Sequence, residues 1–177
     1  MISVHTATEA DLEGLYRIAE DMAQKHERHY FERCLAEQQE KKRDILIAGQ
    51  NDRAVGYVQL IWVPLYSTFR RLDIPEIQDL NVIPEARGQG IGARLVDDCE
   101  TLARQAGKTE MGISVGLTTS YGPAQRLYVK RGYLPDGAGM CYDDVPIRTE
   151  DLRTTLWHRT IVLDHLLTIK MIKNLQP

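Results

Sequence analysis

The chain has 177 residues, 43% of them hydrophobic, which suffices for one domain with a substantial core. Its net charge of −3 and its pI near 6.0 give no basic surface of the kind that binds nucleic acid or an anionic membrane. No apolar run approaches the roughly 18–20 residues that cross a bilayer. We expect no signal peptide, because residues 1–6 have no basic region followed by an apolar core. We therefore expect one domain over residues 1–177, in the cytoplasm, with neither nucleic-acid nor membrane partners.

Cysteine and histidine spacing gives no metal-ligand pattern. Cys34, Cys99 and Cys141 are odd in number and far apart, without a Cys-x-x-Cys pair. His26 and His29 share one face of a helical stretch, but no acidic or cysteine partner stands at ligand spacing. We expect no disulfide framework and no bound metal.

Hydrophobic periodicity and turn residues predict an alternation of strands and helices along the whole chain. In chain order we predict a strand at 2–6, helices at 8–22 and 26–42, a hairpin of strands at 45–48 and 54–63, a strand at 74–82, a helix at 91–106, a strand at 111–115, a helix at 123–132, a strand from 133, a long connection around 143–150, and a last strand at 165–173. The last strand alternates apolar residues with Thr168 and Lys170. This order predicts a single-domain α/β fold, with one mixed sheet of about seven strands and helices on both faces.

Three glycines at alternate positions, Gly88, Gly90 and Gly92, stand between an apolar strand that ends at Val82 and an amphipathic helix. Glycine has no Cβ, so the backbone can approach a ligand closely. The helix that follows offers unpaired N–H groups and the positive end of its dipole. The turn therefore predicts an anion site suited to a pyrophosphate.

Two common phosphate-binding motifs fit this turn poorly. A P-loop needs a Lys and a Ser or Thr after its last glycine, where this chain has Ala93 and Arg94. Residues 88–93 match the G-x-G-x-x-A pattern of a dinucleotide site, but residues 84–87 separate them from the strand, and no acidic residue follows roughly 20 positions later. A turn without a ligand is disfavoured too, because each glycine would cost roughly 0.5–1 kcal/mol without a purpose.

Two motifs, in the right order and spacing, carry a resemblance to a known family. Residues 82–92, VIPEARGQGIG, resemble the cofactor motif V-x-P-x-x-R-G-x-G-I-G of the GNAT superfamily of acyl-CoA N-acyltransferases. Residues 124–133, AQRLYVKRGY, are similar to that family's A-x-x-L-Y-x-K-x-G-F. The predicted order of elements also resembles the family fold from the first strand to the last.

The resemblance implies an acetyl-CoA site built mainly from backbone. In such folds the amides of the glycine turn hold the pyrophosphate, Arg87 and Gln89 flank it, and the end of the preceding strand pairs with the pantetheine arm. The implied cofactor-binding residues are Leu80, Val82, Arg87, Gly88, Gln89, Gly90, Ile91, Gly92 and Ala93. Tyr121 stands where the family often has an asparagine that contacts the cofactor arm, and its hydroxyl either reaches that arm or leaves the contact absent.

The implied reaction is direct attack of an amine on the thioester. An amine of pKa about 10.4 is neutral at pH 7 only at roughly the 0.04% level, equivalent to about 4.6 kcal/mol, so a base or a water chain is valuable. Tyr128 occupies the family position of the acid that protonates the leaving thiolate, and backbone N–H groups near Val82 would stabilise the oxyanion. The base stays open between Glu76, Asp79 and a water relay, since an amide at Gln78 cannot serve.

Strand alternation predicts that Glu76 and Gln78 share one face and that Asp79 lies on the other. The connection before this strand carries an aromatic and basic cluster that would border the acceptor site, either as a solvated loop or as a holder for an acidic group. Its members are Trp62, Tyr66, Phe69, Arg70 and Arg71.

These residues lead to one main hypothesis and one alternative. The first is an N-acetyltransferase that moves an acetyl group from acetyl-CoA to a primary amine of a small molecule or peptide. The alternative is a non-catalytic module that binds acyl-CoA as a sensor. The open edges of the predicted sheet also make a homodimer plausible, and the sequence does not name the acceptor.

Overall fold

The computed structural model describes residues 2–148 and 167–176. Within those residues one sheet contains eight strands, Ile2–Thr6 (β1), Arg43–Gln50 (β2), Arg53–Ile61 (β3), Glu76–Val82 (β4), Glu110–Gly116 (β5), Leu134–Tyr142 (β6), Val145–Pro146 (β7) and Leu167–Asn174 (β8). The α-helices of the same residues are Leu12–Asp21 (α1), Tyr30–Gln39 (α2), Ser67–Arg71 (α3), Ile91–Gln105 (α4) and Gly122–Lys130 (α5).

The strands lie in the order β1-β2-β3-β4-β5-β8-β6-β7. All neighbours are antiparallel except β4 and β5, which are parallel and are joined through α4. The predicted single mixed sheet is confirmed, with eight strands rather than about seven. The additional strand β7 follows a tight turn in which Asp143 and Asp144 both have positive φ, the geometry that returns a hairpin upon itself.

Some predicted boundaries are wrong for local reasons. The second helix begins at Tyr30 rather than at 26, because His29 has the left-handed φ of 60° and cannot continue a helix. Strand β3 ends at Ile61, and the short helix α3 was not predicted. Residues 165 and 166 of the predicted last strand lie outside the described residues.

Helices cover both faces of the sheet, as predicted. On one face Phe31 of α2 meets Tyr57 of β3 edge-on, with ring centroids 5.4 Å apart. On the other face Leu80 and Val82 of β4 approach Gly92 at the start of α4. Residues 55–61 of β3 are buried throughout, as expected for a strand with a packed layer on each side.

The parallel strands β4 and β5 separate soon after they pair. Their only paired positions in the described chain are Glu76 with Gly112 and Ile77 with Ile113, although β4 continues to Val82. Beyond Ile77, the edge of β4 that faces β5 has no strand partner among residues 2–148 and 167–176. The sheet therefore contains an opening between two of its own strands.

None of the helices in these ranges is long and apolar enough to span a membrane.

Candidate active site

The glycine turn lies at the end of β4, beside the opening. Gly88 and Gly90 have φ values of 75° and 84°, which L side chains rarely adopt, and nothing lies within 4 Å of a Cβ built on either. The first helical bond of α4 runs from the Arg94 N–H to the Gly90 carbonyl, at 3.0 Å. The N–H groups of residues 91–93 therefore have no acceptor within the helix. An exposed turn with free N–H groups at the N-terminus of a 15-residue helix fits a pyrophosphate.

The polar side chains of this turn brace it against the sheet. Arg87 Nε donates to the Val82 carbonyl at 3.0 Å. Gln89 Nε2 donates to the Glu85 carbonyl at 3.2 Å, and its Oε1 accepts from Gln50 Nε2 at 2.9 Å. These bonds hold the turn next to β4 and β2. The role of both side chains beside an anion stays a prediction.

Leu80 and Val82 direct their side chains away from the opening and toward α4. The two side chains come within 3.8 and 3.9 Å of a Cβ built on Gly92. Their backbone lies on the edge of β4 that has no strand partner, where a ligand with amide groups could add as a strand would, with the Val82 carbonyl held by Arg87. The described geometry suits the predicted backbone role of both residues.

Helix α5 brings the second motif next to the glycine turn. Leu127 lies 3.8 Å from the Cβ position of Gly92 at the start of α4, and the ring of Tyr128 lies 6.1 Å from the ring of Tyr133. Tyr128 is buried, and burial raises the pKa of its phenol above the ordinary value, so the hydroxyl stays protonated. No hydrogen bond joins its hydroxyl to another of the described residues. This arrangement suits a hydroxyl that donates to a ligand.

Tyr121 fills the end of β5. A Cβ on Gly116 would lie 2.4 Å from the Tyr121 ring, so the ring packs flat on the backbone of this glycine. The residue that replaces the family's asparagine thus stands at the mouth of the opening between β4 and β5.

Asp79 lies on a bulge of β4. Its φ is 51°, and the pairing with β3 shifts register between Tyr57 and Gln59. The exposed Asp79 carboxylate accepts hydrogen bonds through Oδ2 from Tyr30 Oη at 3.0 Å and from Gln59 Nε2 at 2.7 Å. Both donors come from the α2 face of the sheet, so the carboxylate is held on that face.

The prediction that alternation separates Asp79 from Glu76 and Gln78 is therefore wrong. Gln78 pairs with Gln59 across the antiparallel strands, and Glu76 pairs with Ile61, so these side chains share a face. Asp79 bonds the same Gln59. The bulge inserts an extra residue and breaks the period of two, which places the side chains of Glu76, Gln78 and Asp79 on one side.

Glu76 is fully buried at the point where β4 and β5 part. Its Oε1 accepts from Lys170 Nζ at 2.8 Å and from Ser114 Oγ at 2.5 Å. Its Oε2 accepts from Gln78 Nε2 at 3.0 Å. Both oxygens of this carboxylate are therefore engaged by the protein.

Lys170 of β8 belongs to the same buried group. Its Nζ also contacts Ser114 Oγ at 2.6 Å and forms an ion pair with Asp144. It lies 5.2 Å from the centre of the Tyr66 ring. Burial disfavours the ammonium, but the charge of Glu76 and the bond to Asp144 outweigh it, so the pKa of Lys170 lies above its ordinary value. Nothing in the sequence singled out this lysine.

The connection between α1 and α2 is tied to the same face of the sheet. Gln24 Nε2 donates to Asn81 Oδ1 at 3.0 Å, and Gln24 Oε1 accepts from Tyr57 Oη at 3.1 Å. His26 stacks on Tyr30, with ring centroids 4.2 Å apart, beside the Asp79 carboxylate. This connection therefore forms one wall of the space in front of Asp79.

Other predicted site residues lie in the core or in solvent. Tyr66 and Phe69 are fully buried and pack edge-on against each other, whereas Arg70 and Arg71 are exposed. Trp62 Nε1 donates to Asp44 Oδ2 at 2.8 Å. In the described ranges, no group of three or more His, Cys, Asp or Glu residues has the arrangement of a metal site.

Comparison with known proteins places this arrangement in a family. The model of the acetyltransferase (GNAT) family matches residues 12–133. An uncharacterized N-acetyltransferase of Archaeoglobus fulgidus is 32% identical over 121 residues, which cover 66% of this chain and 77% of that protein. The chain therefore belongs to the GNAT acetyltransferase family.

Solved structures agree on the fold. The ribosomal-protein-alanine N-acetyltransferase of Brucella melitensis matches with a TM-score of 0.71 at 19% identity, covering 97% of this chain and 99% of that one. YncA of Salmonella typhimurium, solved with its cofactor acetyl-CoA, matches with a TM-score of 0.68 at 17% identity, covering 99% of this chain and 94% of that one.

Proposed function

We propose that the chain is an acetyl-CoA-dependent N-acetyltransferase that acetylates a primary amine of a small molecule or peptide. The observation that carries the proposal is the opening between β4 and β5. The glycine turn lies at one end of this opening, and the exposed carboxylate of Asp79 lies beside it on the bulge of β4. Membership of the GNAT family supports acetyl-CoA as the donor.

Acetyl-CoA supplies the thioester carbonyl that the amine attacks. The residues of the chain that would hold it are those of the glycine turn, residues 88–93, and the unpaired backbone edge of Leu80 and Val82. These residues fit the pyrophosphate of acetyl-CoA because the first N–H groups of α4 have no acceptor within the helix. Gly88 and Gly90 also have φ values that L side chains rarely adopt. A Cβ at either position would also project into the space above the turn.

Asp79 is the carboxylate best placed to take the proton of the amine. It is exposed, whereas Glu76 is fully buried with both oxygens engaged. Tyr30 and Gln59 hold its Oδ2, which leaves Oδ1 for the amine or for a water between them. Removing the proton from an ordinary ammonium at pH 7 is worth about 4.6 kcal/mol, so a fixed acceptor close to the amine matters.

Tyr128 would act on the leaving sulfur rather than on the amine. Its buried, protonated hydroxyl has no protein partner in the described chain, so it is available to donate to the departing sulfur. Backbone N–H groups at the bulge of β4 would stabilise negative charge on the carbonyl oxygen.

The test is release of free thiol from acetyl-CoA with a diverse panel of amines. The panel includes amino acids, polyamines and peptides that begin with alanine, the last because of the Brucella melitensis relative of like fold. With an accepted amine, Tyr128→Phe should lower kcat about 100-fold or more while acetyl-CoA still raises the melting temperature. The conservative change removes one hydroxyl and leaves the ring packing in place.

Two results would contradict the proposal. A protein that binds acetyl-CoA but acetylates no amine of the panel would be a binding module. A protein stabilised by NAD and not by CoA would have a dinucleotide site instead.

A further inference from the structure

The side chain of Gln78 lies between the buried Glu76 and the exposed Asp79. Its Nε2 donates to Glu76 Oε2 at 3.0 Å. A carboxylate only accepts hydrogen bonds, so the NH₂ end of the amide must face Glu76. The carbonyl oxygen, Oε1, is consequently directed away from Glu76.

Glu76 is itself fixed by a chain of buried contacts. Its other oxygen receives Lys170 Nζ and Ser114 Oγ, and Lys170 is held in turn by Asp144. Glu76 and Lys170 are both fully buried, so no water replaces these contacts. The group connects β4, β5, β8 and the turn between β6 and β7. The orientation of the Gln78 amide therefore follows from a network that spans the sheet.

Gln78 also stands at the opening. It follows Ile77, the last residue of β4 that pairs with β5, and it precedes the bulge at Asp79. It is half-buried, and none of the described residues donates a hydrogen bond to its Oε1. One amide oxygen and one carboxylate thus stand side by side on the same face, next to the space where the amine would react.

We propose that the Lys170–Glu76 ion pair is a positioning device that fixes the Gln78 amide so that its Oε1 accepts a hydrogen bond from the acceptor amine. This inference rests on the proposed function and refines it. Asp79 and Gln78 receive two different N–H groups of the amine, which directs its lone pair. Glu76 and Lys170 touch neither substrate and act through Gln78.

The kinetic test compares three changes with the amine that the panel identifies as acceptor. Gln78→Met removes the proposed contact. Glu76→Met and Lys170→Met, made together, remove the device and leave no fully buried charge unpaired, since only the partly exposed Asp144 loses its cation. Each should raise the KM of the acceptor about tenfold, the value of one hydrogen bond to a polar partner, and leave the KM of acetyl-CoA within about twofold. All three substitutions combined should add less than about twofold, because they break one linked contact.

A matched control comes from the opposite face of β8. Lys173 pairs with the buried Glu100 of α4, at 2.8 Å. Replacing Lys173 and Glu100 together by Met should leave both KM values unchanged. If this control raised the acceptor KM as much, or if the effects of Gln78→Met and the Glu76/Lys170 change multiplied, the positioning role would be wrong.

A second measurement needs no acceptor. The side-chain NH₂ signals of Gln78 in a ¹⁵N-labelled protein can be assigned by their loss in Gln78→Met. They should move toward the values of a free glutamine when Glu76 and Lys170 are both Met, and stay in place in the Lys173/Glu100 control. Unmoved signals would overturn the positioning role and leave the proposed function standing. Absence of any acetylated amine would instead remove the function, and with it the amine contact.

Discussion

Two lysine–glutamate pairs lie on opposite faces of β8, and their charge arrangements are inverted. At the opening, one ammonium, Lys170, meets the carboxylates of Glu76 and Asp144. On α4, one carboxylate, Glu100, meets the cations Lys173, Arg104 and Arg131. Each lysine also lies over a tyrosine ring, at 5.2 and 5.6 Å.

The two pairs differ most in their access to water. The side chains of Lys170 and Glu76 are 1% and 0% exposed, whereas Lys173 is 19% and Arg104 is 45% exposed around the buried Glu100. Solvent therefore reaches two of the cations around Glu100, whereas it reaches neither member of the Lys170–Glu76 pair. A sealed pair fixes geometry, and a hydrated one mainly anchors a helix to the sheet.

The largest expected effect is on folding when one lysine is removed at a time. Lys170→Met leaves Glu76 buried without its ion pair and should lower the free energy of unfolding by about 3–5 kcal/mol. Lys173→Met should cost about 1.5 kcal/mol, because Glu100 keeps Arg104, Arg131 and Tyr133. Urea unfolding of both variants checks the difference, and equal losses would contradict the contrast in hydration.

A smaller effect is expected from the packing around the Lys170 pair. A Cβ on Gly112 would lie 2.3 Å from the ring of Phe69, which is fully buried against Tyr66. Gly112→Ala should therefore displace this ring and cost about 1–3 kcal/mol. Thermal unfolding measures the loss. A melting temperature equal to that of the wild type would show that helix α3 adjusts freely.

On the α4 face the corresponding glycine change should stabilise the fold. Gly92→Ala meets only ordinary contacts, at 3.8 Å and beyond, and lies in the first turn of the helix. It should raise the free energy of unfolding by about 0.5–1 kcal/mol. The added methyl would face Leu80, Val82 and Leu127 rather than the space above the turn, so the acetyl-CoA-induced shift in melting temperature should stay as in the wild type. Thermal unfolding measures the gain, and a lower melting temperature would contradict it.

The smallest effect is a dependence on alkaline pH. The Lys170 ammonium faces Glu76 of β4, Asp144 of the turn between β6 and β7, and the Tyr66 ring. Its pKa in the folded chain lies above the unfolded value of about 10.4. Its contribution to stability is therefore complete below about pH 10.4 and is lost as the pH rises through the folded pKa. The difference in unfolding free energy between the wild type and the Glu76→Met/Lys170→Met variant should be flat from pH 8 to 10 and narrow above. A constant difference to pH 11 would contradict this.

The parts of the site that sequence could predict depend on local backbone chemistry. The glycine turn follows from three residues without a Cβ, and Tyr128 follows from a motif within one helix. The bulge at Asp79 escaped prediction because Asp tolerates a positive φ and its neighbours look like an ordinary strand. Lys170 escaped because a lysine in an alternating strand normally faces solvent, and its three partners are distant in sequence.

The brief pairing of β4 with β5 also divides the sheet into two leaves. The strands β1 to β4 form one leaf, the strands β5, β8, β6 and β7 form the other, and two residue pairs plus the Lys170 network connect them. A ligand lodged between the leaves would itself become a structural cross-link. The backbone amide hydrogens at this edge of β4 should exchange slowly only when the ligand is bound. Their exchange rate would then report directly whether the cleft is occupied.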